Sequence, residues 1–566
     1  MNLSDPEYSG LCTFVVKTNF FNHKPACQQA GDHEVKHKVT QREKRTIEYF
    51  LTFLYKIKYS IEALYSRSMR YNINLGIFKN IRYLIILPFL LYSCGSKPDG
   101  NFTLSELIPK LDPEYSDITI PPNIAPLNFI IKEQGNAFFA RFSSIIGTEI
   151  ELTSGNGKIQ IPESKWRKML LNCTGKNIKL DIFSRDEGGK WLKFKTITYK
   201  VAPEPIDPYL YYRLLYPGYE SWAELSINCR SLESFKSKSL IENSIVDQNC
   251  VNCHSFNNGK SDDFLFHMRG TMGGTYFYSQ GKFKKINLKT KEMKNGAVYP
   301  RWHPSGKFVA FSSNKIIQRF HAADNKKVEV SDLESTLVLY DVEKNEIMNI
   351  ELANKEKFMD TYPEWSPDGK YLYFCRAAQI GEKYDFKEIK YNLCRVPFEI
   401  NKRTFGDVEL VFDAEQINKS IAFPRISPNG KFLIVTLFDY GCFPIWHKEA
   451  DLYSINLENF KADRLSLNSD YSDSYHSWSS NSKWLIFSSK RGDGLTARPY
   501  ISYMEDNGNS DKPFILPQED PEFYKGFLKS FNIPEFSTLK IDLNPGEIRK
   551  LAKSPATQAK WYKNDK

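Results

Sequence analysis

Tyr299-Pro300-Arg301-Trp302-His303-Pro304-Ser305-Gly306-Lys307-Phe308-Val309-Ala310-Phe311 decides the fold, because the chain repeats it. The second copy is Tyr362-Pro363-Glu364-Trp365-Ser366-Pro367-Asp368-Gly369-Lys370-Tyr371-Leu372-Tyr373-Phe374, and the third is Phe423-Pro424-Arg425-Ile426-Ser427-Pro428-Asn429-Gly430-Lys431-Phe432-Leu433-Ile434-Val435. A weaker copy starts at His476-Ser477-Trp478-Ser479 and ends at Trp484-Leu485-Ile486-Phe487. Pro-Asp-Gly and Pro-Asn-Gly make tight turns, since Pro presets φ and Gly tolerates φ above zero. The apolar run behind each turn predicts a strand buried on both faces, and the residue before Ser-Pro packs between neighbouring sheets. A second strand closes several units, as in Thr336–Val342 and Asp451–Leu457. Trp302, Trp365, Ile426 and Trp478 follow one another at 63, 61 and 52 residues, so long loops are inserted between copies.

Repeated turn-strand units of this length are the signature of β-propeller blades. The Trp-Ser-Pro-Asp-Gly-Lys turn followed by an Asp-Leu-Tyr-x-x-x-Leu strand resembles the propeller of TolB-like proteins, over residues 206–515. Two diverged blades precede the four copies. One ends in Ala223-Glu224-Leu225-Ser226-Ile227-Asn228-Cys229, and the other contains Gly274–Tyr278 and Phe283–Leu288. The expectation is an all-β chain with a six-bladed β-propeller. Aromatic residues at 14% agree with it, because they favour strands.

Upstream, residues 118–201 hold short apolar runs at Phe129–Ile131, Ala137–Phe142, Thr148–Leu152, Ile159–Ile161, Ile178–Ile182 and Trp191–Ile197. Such spacing suggests a small β-sandwich, immunoglobulin- or fibronectin-like in outline. Residues 95–117 are polar and read as a tether, and 516–566 as a docking tail or disordered end. Residues 69–94 follow a secretory signal pattern. Met69-Arg70, Lys79 and Arg82 are basic, Tyr83–Tyr92 is an apolar run of ten, and Ser93-Cys94-Gly95 closes it. Leu91-Tyr92-Ser93-Cys94 resembles a bacterial lipobox, which implies acylation of Cys94 and a mature chain beginning there. Residues 1–68 then form an upstream extension. The expected location is the cell envelope, on the periplasmic side and at the outer membrane, with the membrane met through the lipid anchor.

Cys250-Val251-Asn252-Cys253-His254 is a Cys-x-x-Cys-His string, the attachment pattern of a c-type haem. The two thiols would add to the vinyl groups, and His254 would bind iron from below. With 10 Cys and 9 His in the chain, a random match is expected about 0.003 times. Zinc would need a second ligand pair, and no other Cys-x-x-Cys occurs. A redox dithiol would need a βαβ setting that the flanks lack. Cys250 lies 52 residues before Trp302, which places Cys253-His254-Ser255 in the slot of a blade turn, at one end of the channel. The whole resembles Bacteroidetes-type lipoproteins that join a TolB-like propeller to one c-type haem motif. Their following segment, Phe-His-x-Arg-Gly-x-x-Gly-Gly-Thr, is matched by Phe266–Thr275. That resemblance implies one covalent haem c held by Cys250, Cys253 and His254. His267 or Met268 is the distal candidate, with His267 favoured and His303 a weaker substitute.

The net charge of +10 is spread over 77 basic and 67 acidic residues, without the basic arm of a nucleic-acid binder. No catalytic constellation stands out. Asp439, His447, Glu449 and Asp451 are not joined by any spacing rule, His321 sits on an inserted loop, and His33 and His37 precede the signal segment. Cys173, Cys229, Cys375, Cys394 and Cys442 are odd in number, which excludes a fully paired disulfide framework. Two functions follow. One is electron transfer or redox sensing, with a redox or envelope partner at the channel face. The other is a TolB-like protein-interaction or translocation module in which haem is structural or absent.

Overall fold

In a computed structural model, which describes residues 97–563 apart from 220–223, 258–259, 280, 294, 322–325 and 381–384, the Ser-Pro-Asp-Gly stretches form the turns their sequence demands. The Ser366 hydroxyl donates to Asp368 Oδ1 at 2.6 Å and accepts from the Tyr371 amide at 3.0 Å. Gly369 takes a φ of +72°, which a side chain would resist. Ser427 and Asn429 repeat the arrangement, with Gly430 at +73°. Cys94, the signal segment 69–94 and the extension 1–68 lie outside the described residues.

Among the described residues the strands after 206 pair into six sheets of four or five strands, each built on an antiparallel set. Their innermost strands are Ser530–Ser537 for blade 1, Cys250–Asn257 for blade 2 and Ala297–Trp302 for blade 3. They are Phe358–Trp365 for blade 4, Ser420–Ile426 for blade 5 and Asp473–Trp478 for blade 6. The residue before Ser-Pro bridges blades as its position predicts. Trp302, Trp365 and Trp478 each donate an indole N–H to an inner-strand carbonyl of the blade before, those of Ser255, Arg301 and Arg425, at 3.3, 3.2 and 3.1 Å.

Blade 1 closes the ring. Its inner strand comes from the far end of the chain, where Ser530–Ser537 pairs antiparallel with Tyr209–Leu215, and the remaining strands are Ser226–Ser231 and Ser237–Glu242. This corrects two expectations. Ser226–Cys229 lies in the third strand of blade 1 and does not end the blade. The described residues of 516–566 are no tail: beyond the closing strand, helix Pro545–Lys553 packs on blade 2. Thr557–Gln558 then adds in parallel to the outer strand of blade 2, and Lys560–Trp561 to that of blade 3. The Lys285 ammonium fixes the end of this helix by donating to the carbonyls of Ala552 and Ser554 at 2.8 and 3.1 Å.

The domain ahead of the propeller has the expected strands, in a seven-stranded mixed sheet and a three-stranded one. A ten-residue helix, Glu163–Asn172, departs from a pure sandwich. Trp166, Met169, Leu170 and Cys173 fall at helical spacing and are all buried. The expected tether also takes part, since Phe102–Leu104 pairs in parallel with Trp191–Lys193 and Leu111–Asp112 pairs with Ile130–Ile131. One apolar core runs from this domain into blade 6, joining Tyr115, Phe142 and Trp166 to Trp484, Ile501 and Phe514. All seven described cysteines are buried, and no disulfide joins any two of them.

Closure by a distant strand predicts a sharp response to truncation. Deleting residues 530–566 should yield no folded monomer by size-exclusion chromatography, because the inner edge of Tyr209–Leu215 would be left open. Deleting 555–566 should retain a cooperative melt at lower Tm. Equal, well-folded behaviour of both would contradict the closure.

Candidate functional site

In all six inner strands the pairing skips two residues, and each bulge falls at the same height. The first bulged residue is Ile533, Cys253, Tyr299, Tyr362, Phe423 or Tyr475, with φ between +48° and +53°. The second is Pro534, His254, Pro300, Pro363, Pro424 or His476. Proline suits a bulge, where no N–H is needed for the ladder. The next residue is Glu535, Ser255, Arg301, Glu364, Arg425 or Ser477. Cys253-His254-Ser255-Phe256 is therefore the blade 2 version of Tyr362-Pro363-Glu364-Trp365. It stands four residues ahead of the turn slot, in the middle of a buried strand, which corrects its expected placement on a turn.

The bulge turns side chains onto the axis in two layers. Tyr299, Tyr362, Phe423 and Tyr475 make a collar of rings, with successive centroids 4.5, 4.3 and 4.8 Å apart. Arg301, Glu364, Arg425 and Glu535 make a belt of alternating charge. Arg301 reaches Glu535 Oε1 and Glu364 Oε2 at 3.0 Å each, and Arg425 lies 3.5 Å from Glu364 Oε2. These side chains are only 8–15% exposed, so partnering decides whether their burial is tolerable. Burial, only partly offset by Arg301, pushes Glu364 up to about 7.

His254 stands beside the belt. Burial holds it below the usual histidine range, against the pull of Glu535. Its imidazole is tied on one side to the Ile533 backbone, while Nε2 has no hydrogen-bond partner. Glu535 Oε2, 3.7 Å away, has none either. That separation is too long for a hydrogen bond. A cavity of about 30 Å³, lined by Cys253, His254, Tyr299, Arg301, Arg425 and Glu535 among others, opens between them.

As folded, these residues do not fit a covalent haem. Cys250 packs against Leu215 and Leu225, whereas Cys253 faces the axial cavity, so the two thiols open on different spaces. The cavity of about 30 Å³ has room for about two waters, and ligands of porphyrin size occupy pockets of several hundred Å³. The other candidates are not brought to His254. His267 is buried on the second strand of blade 2, with Nδ1 2.8 Å from Thr275 Oγ1 and its ring beside Phe311. Met268 points the opposite way, into the cluster shared with blade 1, where the Tyr276 hydroxyl lies 3.5 Å from its sulfur. His303 is a peg between blades 3 and 4, its two nitrogens 2.8 Å from Ser305 Oγ and 3.1 Å from the Gly369 carbonyl. Gly369 must lack a Cβ there, which would lie 2.4 Å from His303 Nε2. His321 is exposed.

Sequence reasoning missed the belt, whose signal was the alternation of Arg301, Glu364 and Arg425 at one repeat position. It also missed a polar cluster on the inserted loops. His447 Nδ1 lies 2.9 Å from Glu449 Oε1, and Lys326 joins Glu329, Tyr440 and His447. His447 and Glu449 are thus paired after all.

No known family profile and no curated protein matches the chain. Among solved structures, TolB from Acinetobacter baumannii is similar at 12% identity and a TM-score of 0.39, over 66% of this chain and 85% of TolB. A hypothetical selenium-binding protein from Sulfolobus tokodaii is similar at 10% identity and a TM-score of 0.38, over 60% of this chain and 96% of that one. A chain of a nidogen/laminin complex follows at 7% identity and a TM-score of 0.33, over 58% and 97%. The six blades stand on strand pairing within this chain, and the similarities accompany them.

Two outcomes check the site. Protein made alongside c-type cytochrome maturation factors should show no covalent haem in a pyridine haemochrome assay, and the Cys250→Ala, Cys253→Ala double variant should melt as a folded protein. Stoichiometric covalent haem would mean that the inner strand opens. The second outcome is a pH slope. Glu364 has a folded pKa of about 7 against an ordinary 4.5, so between these values the folded state holds a proton that the unfolded state has lost. Its contribution to stability is full below pH 4.5 and fades as pH rises through 7. Urea titrations from pH 5 to 8 should show Glu364→Gln gaining on wild type by on the order of 2–3 kcal/mol. Buried His254, His267 and His476 act in the opposite sense below about pH 6.5, which is why the difference between the two proteins is the informative quantity.

Proposed function

We propose that this protein is a non-catalytic recognition module of the cell envelope, a lipid-anchored propeller whose axial mouth receives a hydrogen-bond donor from a partner protein. One observation carries the reading. His254 Nε2 and Glu535 Oε2 are two buried acceptors 3.7 Å apart, both without a donor, at the edge of the axial cavity. Because the other imidazole nitrogen is tied to the Ile533 carbonyl, Nε2 carries a lone pair. A primary ammonium, such as a lysine head of the partner, would bridge both acceptors and complement the carboxylate. A bridging water is the competing occupant. The signal-like segment and Cys94 support the envelope setting. The strand-rich ring supplies the rigid frame that recognition through a channel mouth requires.

The test is photocrosslinking in cells from a benzoylphenylalanine placed at Arg425, in the mouth, and at Ala462, on the outer strand of blade 5. A discrete adduct is expected from position 425 alone, and it should vanish in Glu535→Gln while the melt stays cooperative. Adducts of equal yield from both positions, or none from 425, would reject the reading and leave water as the occupant of the axis.

A further inference from the structure

A second cavity lies away from the axis, at the base of blade 1 where it meets the preceding domain. It has a volume of about 550 Å³ and a mixed wall, with Tyr212, Phe235, Phe523, Phe527 and Phe531 as its aromatic side. Its rings pack on one another. Phe523 stacks on Phe527 at 4.6 Å, Phe527 meets Phe531 at 5.6 Å, and Tyr212 meets Phe531 at 4.8 Å. Arg498, itself buried, holds the segment that carries them by donating to the carbonyls of Tyr524, Phe527 and Lys529.

Arg230 also lines this cavity and is 3% exposed. Two of its nitrogens donate, one to Gln518 Oε1 at 2.6 Å and one to the Pro517 carbonyl. The guanidinium lies 5.9 Å from the Phe235 ring centre. Its Nε is buried without a partner. Among the described residues no carboxylate pairs with it, and the groups that act on it electrostatically are the neutral phenols of Tyr524, Tyr212 and Tyr115. A guanidinium cannot shed its proton to relieve this, so the site holds a fixed, nearly dry positive charge. At the axis, by contrast, the partly buried Arg301 meets two carboxylates. Glu519 and Asp520 stand exposed among the lining residues, and Asp520 is engaged by Lys158 at 2.7 Å.

We infer that this cavity is a binding site for an aryl monocarboxylate, with the carboxylate on Arg230 and the aromatic body among Phe235, Phe523, Phe527 and Phe531. A volume of about 550 Å³ suits a small molecule of this class. Rings of the wall favour an aromatic body through offset and edge contacts. One negative charge matches the guanidinium of Arg230, and the acidic residues beside it repel a ligand carrying more. The site is independent of the axial mouth.

The probes are 4-phenylbutyrate, its amide and dodecanoate, titrated calorimetrically into the purified protein. The acid should bind at least about tenfold more tightly than the amide, the difference a charge-assisted pair supplies. Dodecanoate should bind more weakly than the aryl acid, and Glu535→Gln should leave all affinities unchanged. Arg230→Met should lower acid binding about tenfold and remove the preference over the amide. If that variant fails to fold, Ser237→Trp fills the cavity from its exposed lining and should abolish binding with Arg230 intact. Equal affinity for acid and amide overturns the carboxylate assignment, tighter binding of dodecanoate overturns the aryl one, and no binding of any probe at millimolar concentration overturns the site.

Discussion

Everything at the centre of this molecule depends on a backbone turned to positive φ at one height in six strands. For residues such as Tyr299, Tyr362 and Phe423 that conformation is costly, on the order of 1–3 kcal/mol each. It persists because the ladder is fixed on both sides of the bulge, by paired residues such as Thr361 with Cys375 and Glu364 with Tyr373. The reward is directional. A plain strand would alternate its side chains between the two faces of its blade. In blades 3, 4 and 5 the bulged one delivers a ring to the collar and, two residues on, a charge to the belt.

Charges meet differently at the two sites. Around the axis, Glu535, Arg301, Glu364 and Arg425 alternate in charge, with serines in blades 2 and 6, and each carboxylate lies next to a guanidinium. Burial still prevails at Glu364, whose affinity for a proton rises to near neutrality, so the belt responds to pH where most carboxylates do not. Arg230 has no such partner and keeps its charge among phenols. The axis is thus balanced within the chain, while Arg230 in the blade 1 cavity has no carboxylate paired with it among the described residues.

Much of the fold was legible because propeller turns are written in residues with few alternatives. Pro-Asp-Gly and Pro-Asn-Gly give away the turn, and Trp302, Trp365 and Trp478 the contact between blades. The closing strand was not legible. Asn532-Ile533-Pro534-Glu535-Phe536 fits the repeat, but no turn glycine follows it, because its neighbour in the sheet comes from the other end of the chain. The place of the Cys-x-x-Cys-His string on its blade was misread for a related reason. Its rarity was judged against a random chain, whereas the slot holding His254 also takes histidine in blade 6, where Tyr475-His476-Ser477-Trp478 lines up with Cys253-His254-Ser255-Phe256. The belt stayed hidden because its members are far apart in sequence and meet only in a closed ring. The helix Glu163–Asn172 was recoverable from the spacing of its buried residues, had helical as well as alternating periods been weighed there.

Ring closure also sets a clock. Tyr211 and Leu539, whose hydroxyl and carbonyl meet beside the closing strand, are 328 positions apart. At ordinary rates of synthesis, ~5–20 residues per second, the interval between making one and the other is on the order of 15–65 s. Throughout it the inner edge of Tyr209–Leu215 has no partner, and an unpaired edge is the surface on which strands of other chains pair. The first blade is therefore the last to be completed, and its open edge waits while the other five blades are made.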